Sequence, residues 1–314
     1  MFGSDKEKGS IEMVIAMVLS GTIGYFVVNA EQSYWNVVFL RCVIGALCLA
    51  GYVLATKQLT KEILKGPVFI TILLGGITLV GNWVLLFASF EHIPFSIAII
   101  AYHLQPLMLV LLSAVLYRQY PSKTILLWLT IAVVGLWLVI GIPYQEIVAV
   151  IFAQGSNQAV FGLLLALGAA FLYTITTLMT KKVSQVPSGV VAVIQIFFGG
   201  LFLLPWVDFN HFPETSASWG NILFLGVVNT GFMYVIMYDA FQRLSTTLIA
   251  ILSFIYPVVA LLVDFMAFDH TVSLLQMMGI VLILVAVSAV KFDWQLGKLV
   301  RTPKQKIPSS QKLE

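Results

Sequence analysis

The chain has 314 residues, 60% of them hydrophobic and only 10% charged, with a mean hydropathy of +0.99. A water-facing domain carries about 25% charged residues, so this composition excludes a soluble enzyme or a free nucleic-acid-binding domain and implies that lipid is the main solvent. The formal net charge of +3 is small, and its distribution along the chain is more informative than its size.

In chain order, the first ten residues mix acids and bases, and no A-x-A-like cleavage site follows the first apolar run. That run is therefore expected to be a retained span. About 20 apolar residues cross a bilayer core as a helix. Segments of that length lie near 11–30, 35–55, 67–90, 93–116, 123–142, 159–180, 189–208, 217–241, 246–267 and 273–292. Pro67, Pro94, Pro121, Pro187 and Ser188-Gly189 fall at starts and turns, where a missing N–H is harmless. Cys42 and Cys48 share one segment and point in different directions on a helix, so they read as apolar fillers and not as a disulfide or a thiolate metal site.

Ten spans put both termini on one side. With the N-terminus in the cytoplasm, sixteen of the seventeen basic residues fall on inner segments or the tail, and the outer loops hold Glu31, Glu91, Glu146, Glu214 and Asp269. Cytoplasmic enrichment in Lys and Arg is the pattern expected of an inner-membrane protein with both termini inside. The tail at 294–314, with bases from Lys298 to Lys312, reads as an anchor beside anionic lipid and not as a nucleic-acid arm.

An internal repeat is visible. Phe90–Pro106 lies over Phe241–Pro257 at a constant offset of 151, and Leu40–Leu47 lies over Ile194–Leu201 at an offset of 154, which sets Arg41 over Gln195. Residues 1–142 and 159–293 are expected as the two halves, joined by an extracytoplasmic linker at 143–158. Five spans per copy is an odd number, so the second copy enters the membrane inverted. The expected fold is an all-α membrane protein of ten transmembrane helices in two inverted five-helix repeats, a plan used by secondary transporters with a site near mid-membrane.

FLRCVIGAL in helix 2, HLQPLMLVLLSAVL in helix 4, FGLLLALGAAFLYTITTLMTKK in helix 6 and FIYPVVALLV in helix 9 together resemble the EamA branch of the drug/metabolite transporter (DMT) superfamily over essentially the whole chain. The resemblance implies five-plus-five inverted repeats, export of amino acids or other small metabolites, and a cavity between helices 1, 3, 4, 6, 8 and 9. The acid common just after helix 4 in that family is missing; Tyr117-Arg118-Gln119 stands there, so no role for an acid carries over to that turn.

Polar groups within spans are expensive and usually face a bundle interior or cavity. Arg41 reads as a counter-ion for a carboxylate-bearing substrate, as a partner of Glu31 or Glu91, or as a side chain snorkelling to the outer headgroups. Helix 4 supplies Tyr102, His103 and Gln105 beside Pro106, which frees a carbonyl about one turn earlier; Pro257 is its counterpart in helix 9. Asn82 and Trp83, Tyr173, then Asn229, Thr230, Tyr234 and Tyr238, and finally Tyr256, are further candidates to line a substrate site. Each also suits plain interhelical hydrogen bonding. The threonines of helix 6 can bond their own backbone. His103 and Asp239 join Arg41 as candidates for coupling charge movement.

The sequence carries no phosphate-binding G-x-x-x-x-G-K-[ST], no H-E-x-x-H and no G-x-S-x-G, and its four histidines are scattered. No catalytic residue, cofactor or metal is expected. A small-molecule substrate and membrane lipid are the expected partners, and oligomeric state is left open. The expected function is secondary transport, with a membrane-embedded enzyme, receptor or assembly subunit as the alternative.

Overall fold

The computed structural model describes residues 5–59, 63, 65–118, 120–143, 145, 148–149, 156–267 and 272–294. The tail beyond 294 and most of the 143–158 linker lie outside the described residues. The first half contains α1 (Asp5–Val28), α2 (Tyr34–Ala55), α3 (Gly66–Ser89), α4a (Phe95–Tyr102) with α4b (Gln105–Tyr117), and α5 (Lys123–Ile140). The second contains α6 (Ser156–Lys182), α7 (Ser188–Leu203), α8a (Ser216–Gly226) with α8b (Met233–Arg243), α9a (Thr246–Ser253) with α9b (Ile255–Ala267), and α10 (Leu274–Lys291). Among the described residues ten helices are long and apolar enough to cross a membrane, and they coincide with the ten segments read from hydropathy. The main shift in bounds is at α1, which starts at Asp5 and not near residue 11; Asp5 and Glu7 in its first turn suit the positive end of the helix dipole.

Helix starts are fixed by short polar side chains. Ser33, Ser122, Thr215 and Ser245 each accept a backbone N–H from the first turn, and Ser273 with Gln276 forms a capping box at α10. The loop after α7 is tied to α2 by Asn36, whose amide donates to the carbonyls of Asp208 and His211 at 2.9 Å each. In that loop, hydrogen bonds from His211 and from the Asn210 N–H hold the Asp208 carboxyl below its ordinary range.

The fourth and ninth spans each divide just before a proline, Pro106 and Pro257. Pro106 has no N–H for the Tyr102 carbonyl, and the Leu104 N–H turns back to Ala101 O at 3.2 Å, so α4 divides at His103–Leu104. In α9 the Phe254 N–H likewise turns back to Ile251 O at 3.3 Å, three residues before Pro257. The two breaks occupy the same point of the repeat.

Packing repeats as well. α3 lies along α6 as α1 lies along α8; α1 packs on α9 as α6 packs on α4; α2 packs on α8 as α7 packs on α3. Three further pairs, α2 with α7, α4 with α9 and α5 with α10, join corresponding helices of the two halves. Exchanging helix n with helix n+5 maps these contacts onto one another, while α7 with α8, α6 with α8 and α5 with α9 pack without a counterpart of similar extent among the described residues. With five crossings per half, the two copies run in opposite senses.

The outer faces carry long apolar side chains that only lipid can cover, such as Leu47 and Leu54, each 69% exposed. Where helices touch most closely, glycine is needed. A Cβ on Gly279 would stand 2.6 Å from the Gly135 carbonyl and 2.8 Å from the Val139 nitrogen, both backbone atoms that cannot step aside. Gly279→Ala should therefore lower stability by about 1–3 kcal/mol. Gly51→Ala, whose Cβ would meet nothing within 4 Å, should be neutral or slightly stabilising. Thermal unfolding of both variants in detergent checks the contrast; equal melting temperatures would mean the α5–α10 contact is looser than described.

Candidate functional site

A cavity of about 480 Å³ lies between the halves, lined by residues of α1, α2, α3, α4, α6, α8 and α9. Six of these helices are the expected ones; α2 is an addition, through Tyr34, Val37, Val38 and Arg41. The cavity reaches the end of the bundle where α1 and α3 finish and α2 begins. There Tyr34 and Phe87 sit 4.8 Å apart between ring centroids, and the Tyr34 hydroxyl donates to Glu91 at 3.1 Å.

Trp83, Tyr102, His103, Gln105, Tyr173, Tyr234 and Tyr256, all singled out in the sequence, face this cavity together with Arg41 and Pro106. The rings of Tyr102 and Tyr173 stack at 6.1 Å. His103 stacks on Tyr256 at 5.1 Å, with planes 3° apart, and its Nδ1 lies 2.8 Å from the Ile99 carbonyl. That contact requires Nδ1 to carry a proton and donate. The break before Pro106 is what turns His103 away from the regular helix path.

Four of the expected site residues are not in the cavity wall. Asn82 is fully buried behind it and accepts the Tyr102 hydroxyl at 3.0 Å. Asn229 and Thr230 face α1 and α2: the Asn229 amide donates to Leu19 O at 2.7 Å, and the Thr230 hydroxyl to Leu225 O at 2.8 Å. Tyr238 points past the cavity to Gln195, donating at 2.5 Å. Thr230 does not share a helix face with Tyr234 because residues Val227–Phe232 form a π turn, whose wider winding rotates it away. Asp239 is also outside the cavity, in an ion cluster described below. The helix 6 threonines bond their own backbone: Thr174 to Ala170 O at 3.0 Å and Thr177 to Tyr173 O at 2.9 Å.

Arg41 neither pairs with Glu31 or Glu91 nor reaches to the surface. It is 7% exposed, and among the described residues no carboxylate lies within ion-pair distance. Its Nε donates to Thr230 Oγ1 at 2.9 Å and its Nη2 to the Asn229 carbonyl at 3.3 Å. The guanidinium carbon lies 5.8 Å from the Trp83 ring centroid, within cation–π range. The π turn thus serves as the seat of the arginine. Two glycines permit the close approach this needs: a Cβ on Gly45 would stand 2.5 Å from Thr230 Cγ2, and one on Gly226 would stand 2.5 Å from Ile44. Gly226 and Gly231, with Asn229 and Thr230 between them, are the sequence signal for this feature.

The opposite end is shut. Below the cavity, Met13 and Tyr238 are 0% exposed, and Phe241 and Leu244 1%. Beyond that plug, Arg243 contacts Asp239 at 2.8 Å, Asp5 at 2.9 Å and Glu12 at 4.0 Å, while Lys8 contacts Asp239 at 3.3 Å and Glu12 at 3.5 Å. Lys181 adds hydrogen bonds to the carbonyls of Leu244 and Phe241. A second hollow of about 630 Å³, between α1, α2, α8 and the start of α7, opens on the outer side of this ion cluster. The sequence does not join Glu12 to Asp239, because the cluster is assembled from α1 and α8, more than two hundred residues apart.

Comparison with known proteins agrees with the fold and its two halves. The EamA-like transporter family matches residues 7–141 and again 160–291. An uncharacterized transporter (YxxF) of Bacillus subtilis is 32% identical over 283 residues, 89% of either chain. The pseudopaline exporter CntI of Pseudomonas aeruginosa is 26% identical over 70% of this chain and 72% of its own, and protein PecM of Dickeya dadantii is 26% identical over 69% and 72%. One solved structure superposes with a TM-score of 0.78 over 90% of this chain at 18% identity, which shows shared fold. This chain is therefore a multi-pass membrane protein that belongs to the EamA-like transporter family.

Proposed function

We propose that the protein is a secondary transporter that exports small organic metabolites, such as amino acids, across the inner membrane by alternating access. Both termini face the cytoplasm, so the cavity opens outward and the ion cluster closes the inner side. Residues 1–142 and 159–293 act as the two moving halves. The observation carrying this reading is a cavity between two halves of matching packing, reaching one end of the bundle and sealed toward the other. In such a fold, exchanging the conformations of the halves would move the seal to the other side. The name of the exporter among the relatives supports the direction.

Arg41, Trp83, Tyr102, His103, Gln105, Tyr173, Tyr234 and Tyr256 are the proposed substrate contacts. Asn82, Asn229, Thr230 and Tyr238 hold those contacts in place. Asp239 belongs to the inner gate, and Pro106 and Pro257 are the hinges. Gly24 tests the site with little risk to the fold: it lines the cavity, and a Cβ there would meet nothing within 4 Å. Gly24→Trp should abolish saturable flux into proteoliposomes, across a panel of amino acids and metabolites, while leaving the melting temperature close to that of the unmodified protein. Unchanged flux would remove the cavity from the transport path.

The inner gate is testable separately. Arg243→Gln removes three of the five ion contacts. Partly exposed pairs of this kind contribute roughly 0.2–1 kcal/mol each, enough together to shift a gate between populations. In a background lacking Cys42 and Cys48, a cysteine replacing buried Met13 should react with a thiol reagent severalfold faster once Arg243→Gln is present. An unchanged labelling rate would mean the cluster does not hold the inner side closed.

A further inference from the structure

We propose that the cavity selects a monoanion, namely a carboxylate carried on an apolar or aromatic body, in preference to a zwitterion or a cation. This rests on the transport reading above and narrows its substrate class. Among the described lining residues Arg41 is the one permanently charged side chain, and none is Asp or Glu. Its hydrogen-bond partners are neutral oxygens on Thr230 and Asn229. Of the five N–H donors of a guanidinium, those two bonds use two, leaving a donor edge suited to the bidentate geometry of a carboxylate. Glu91, at the mouth, is exposed and already accepts the Tyr34 hydroxyl.

The other half provides a built-in comparison. Gln195, matched to Arg41 in the repeat, is neutral and satisfied by the Tyr238 hydroxyl at 2.5 Å and by Thr180 at 3.4 Å. Its Cα lies against Gly76, and it lines neither of the two cavities described above. The repeat therefore folds without a charge at this point, and the half that carries one turns it toward open space. Around it, Trp83, Tyr102, Tyr173 and Tyr234 supply ring faces for an apolar body. The ammonium of an amino acid finds no carboxylate among the described lining residues, so an acid lacking that group fits better than the parent amino acid.

The test is equilibrium binding to the full chain in nanodiscs, read by isothermal titration, with four probes sharing one phenyl body: 3-phenylpropionate, its amide, phenylalanine and 3-phenylpropylamine. The expected order places the propionate first, at least about ten-fold tighter than the amide and the amine, with phenylalanine between. Arg41→Gln should erase the preference, and Arg41→Lys should keep part of it. The inference is overturned by an amide or amine that binds as tightly as the propionate. It is equally overturned by a preference that survives Arg41→Gln, or by no binding of any probe to monodisperse protein. If Arg41→Gln does not fold, the probe order on the unmodified chain decides alone. Anion-selective binding without flux would sink the transport reading and leave this one standing; flux that favours the amine would do the reverse.

Discussion

A guanidinium buried among helices is the costliest group in this molecule, and much of the local architecture is arranged around it. The effective penalty for removing one ion from water is several kcal/mol, while a hydrogen bond to a charged group contributes about 1.5–3 kcal/mol. The two bonds Arg41 makes, to Thr230 Oγ1 and the Asn229 carbonyl, therefore go some way toward stabilising it but leave donor capacity unused. A position beside a polar cavity supplies what the protein does not, through water or through a ligand. The π turn at Val227–Phe232, the Gly45 and Gly226 contacts between α2 and α8, and the face of Trp83 all act to hold the charge at that boundary.

The rest of the site follows from the same economy of polar groups in an apolar medium. Backbone groups freed by Pro106 and Pro257 sit beside the cavity and not against lipid. Behind the cavity wall, Asn82 accepts from Tyr102, Tyr238 donates to Gln195, and the Asn229 NH2 group donates to Leu19, while its Oδ1 is left without a partner among the described residues. On the closed side, charges are gathered into a cluster at the helix ends, where water is near, and fully buried Met13, Tyr238 and Phe241 separate them from the cavity. A barrier made of one packed apolar layer and a few screened ion pairs is strong enough to seal and weak enough to be exchanged.

Much of this was legible in the sequence because the signals were long or repeated. Ten apolar stretches of about 20 residues can be read without knowing any contact, and two prolines at one repeat offset mark both kinks. The failures share a cause: each turned on the rotation of one residue about its helix axis. Asn229, Thr230 and Tyr238 stand among apolar neighbours as any cavity residue would, yet the π turn at Val227–Phe232 sets Asn229 and Thr230 against α1 and α2, and Tyr238, one turn past Tyr234, reaches Gln195 instead. That turn is set by the packing of α8 against α2, which local sequence does not encode. Arg41 was weighed against two acids in nearby loops, whereas its partners lie in α8, nearly two hundred residues along the chain. The inner ion cluster was hidden in the same way.

The central claim is that one cavity, between matched halves, is exposed to each side of the membrane in turn. The most direct measurement places a single cysteine at Gly24, in a chain lacking Cys42 and Cys48, in oriented membrane vesicles. A membrane-impermeant thiol reagent is then added from either side, with and without a transported solute. The account predicts labelling from the side where α1 ends and α2 begins, falling as solute drives the cycle, with labelling from the opposite side rising in step. Reaction from one side alone, at a rate indifferent to solute, would contradict it.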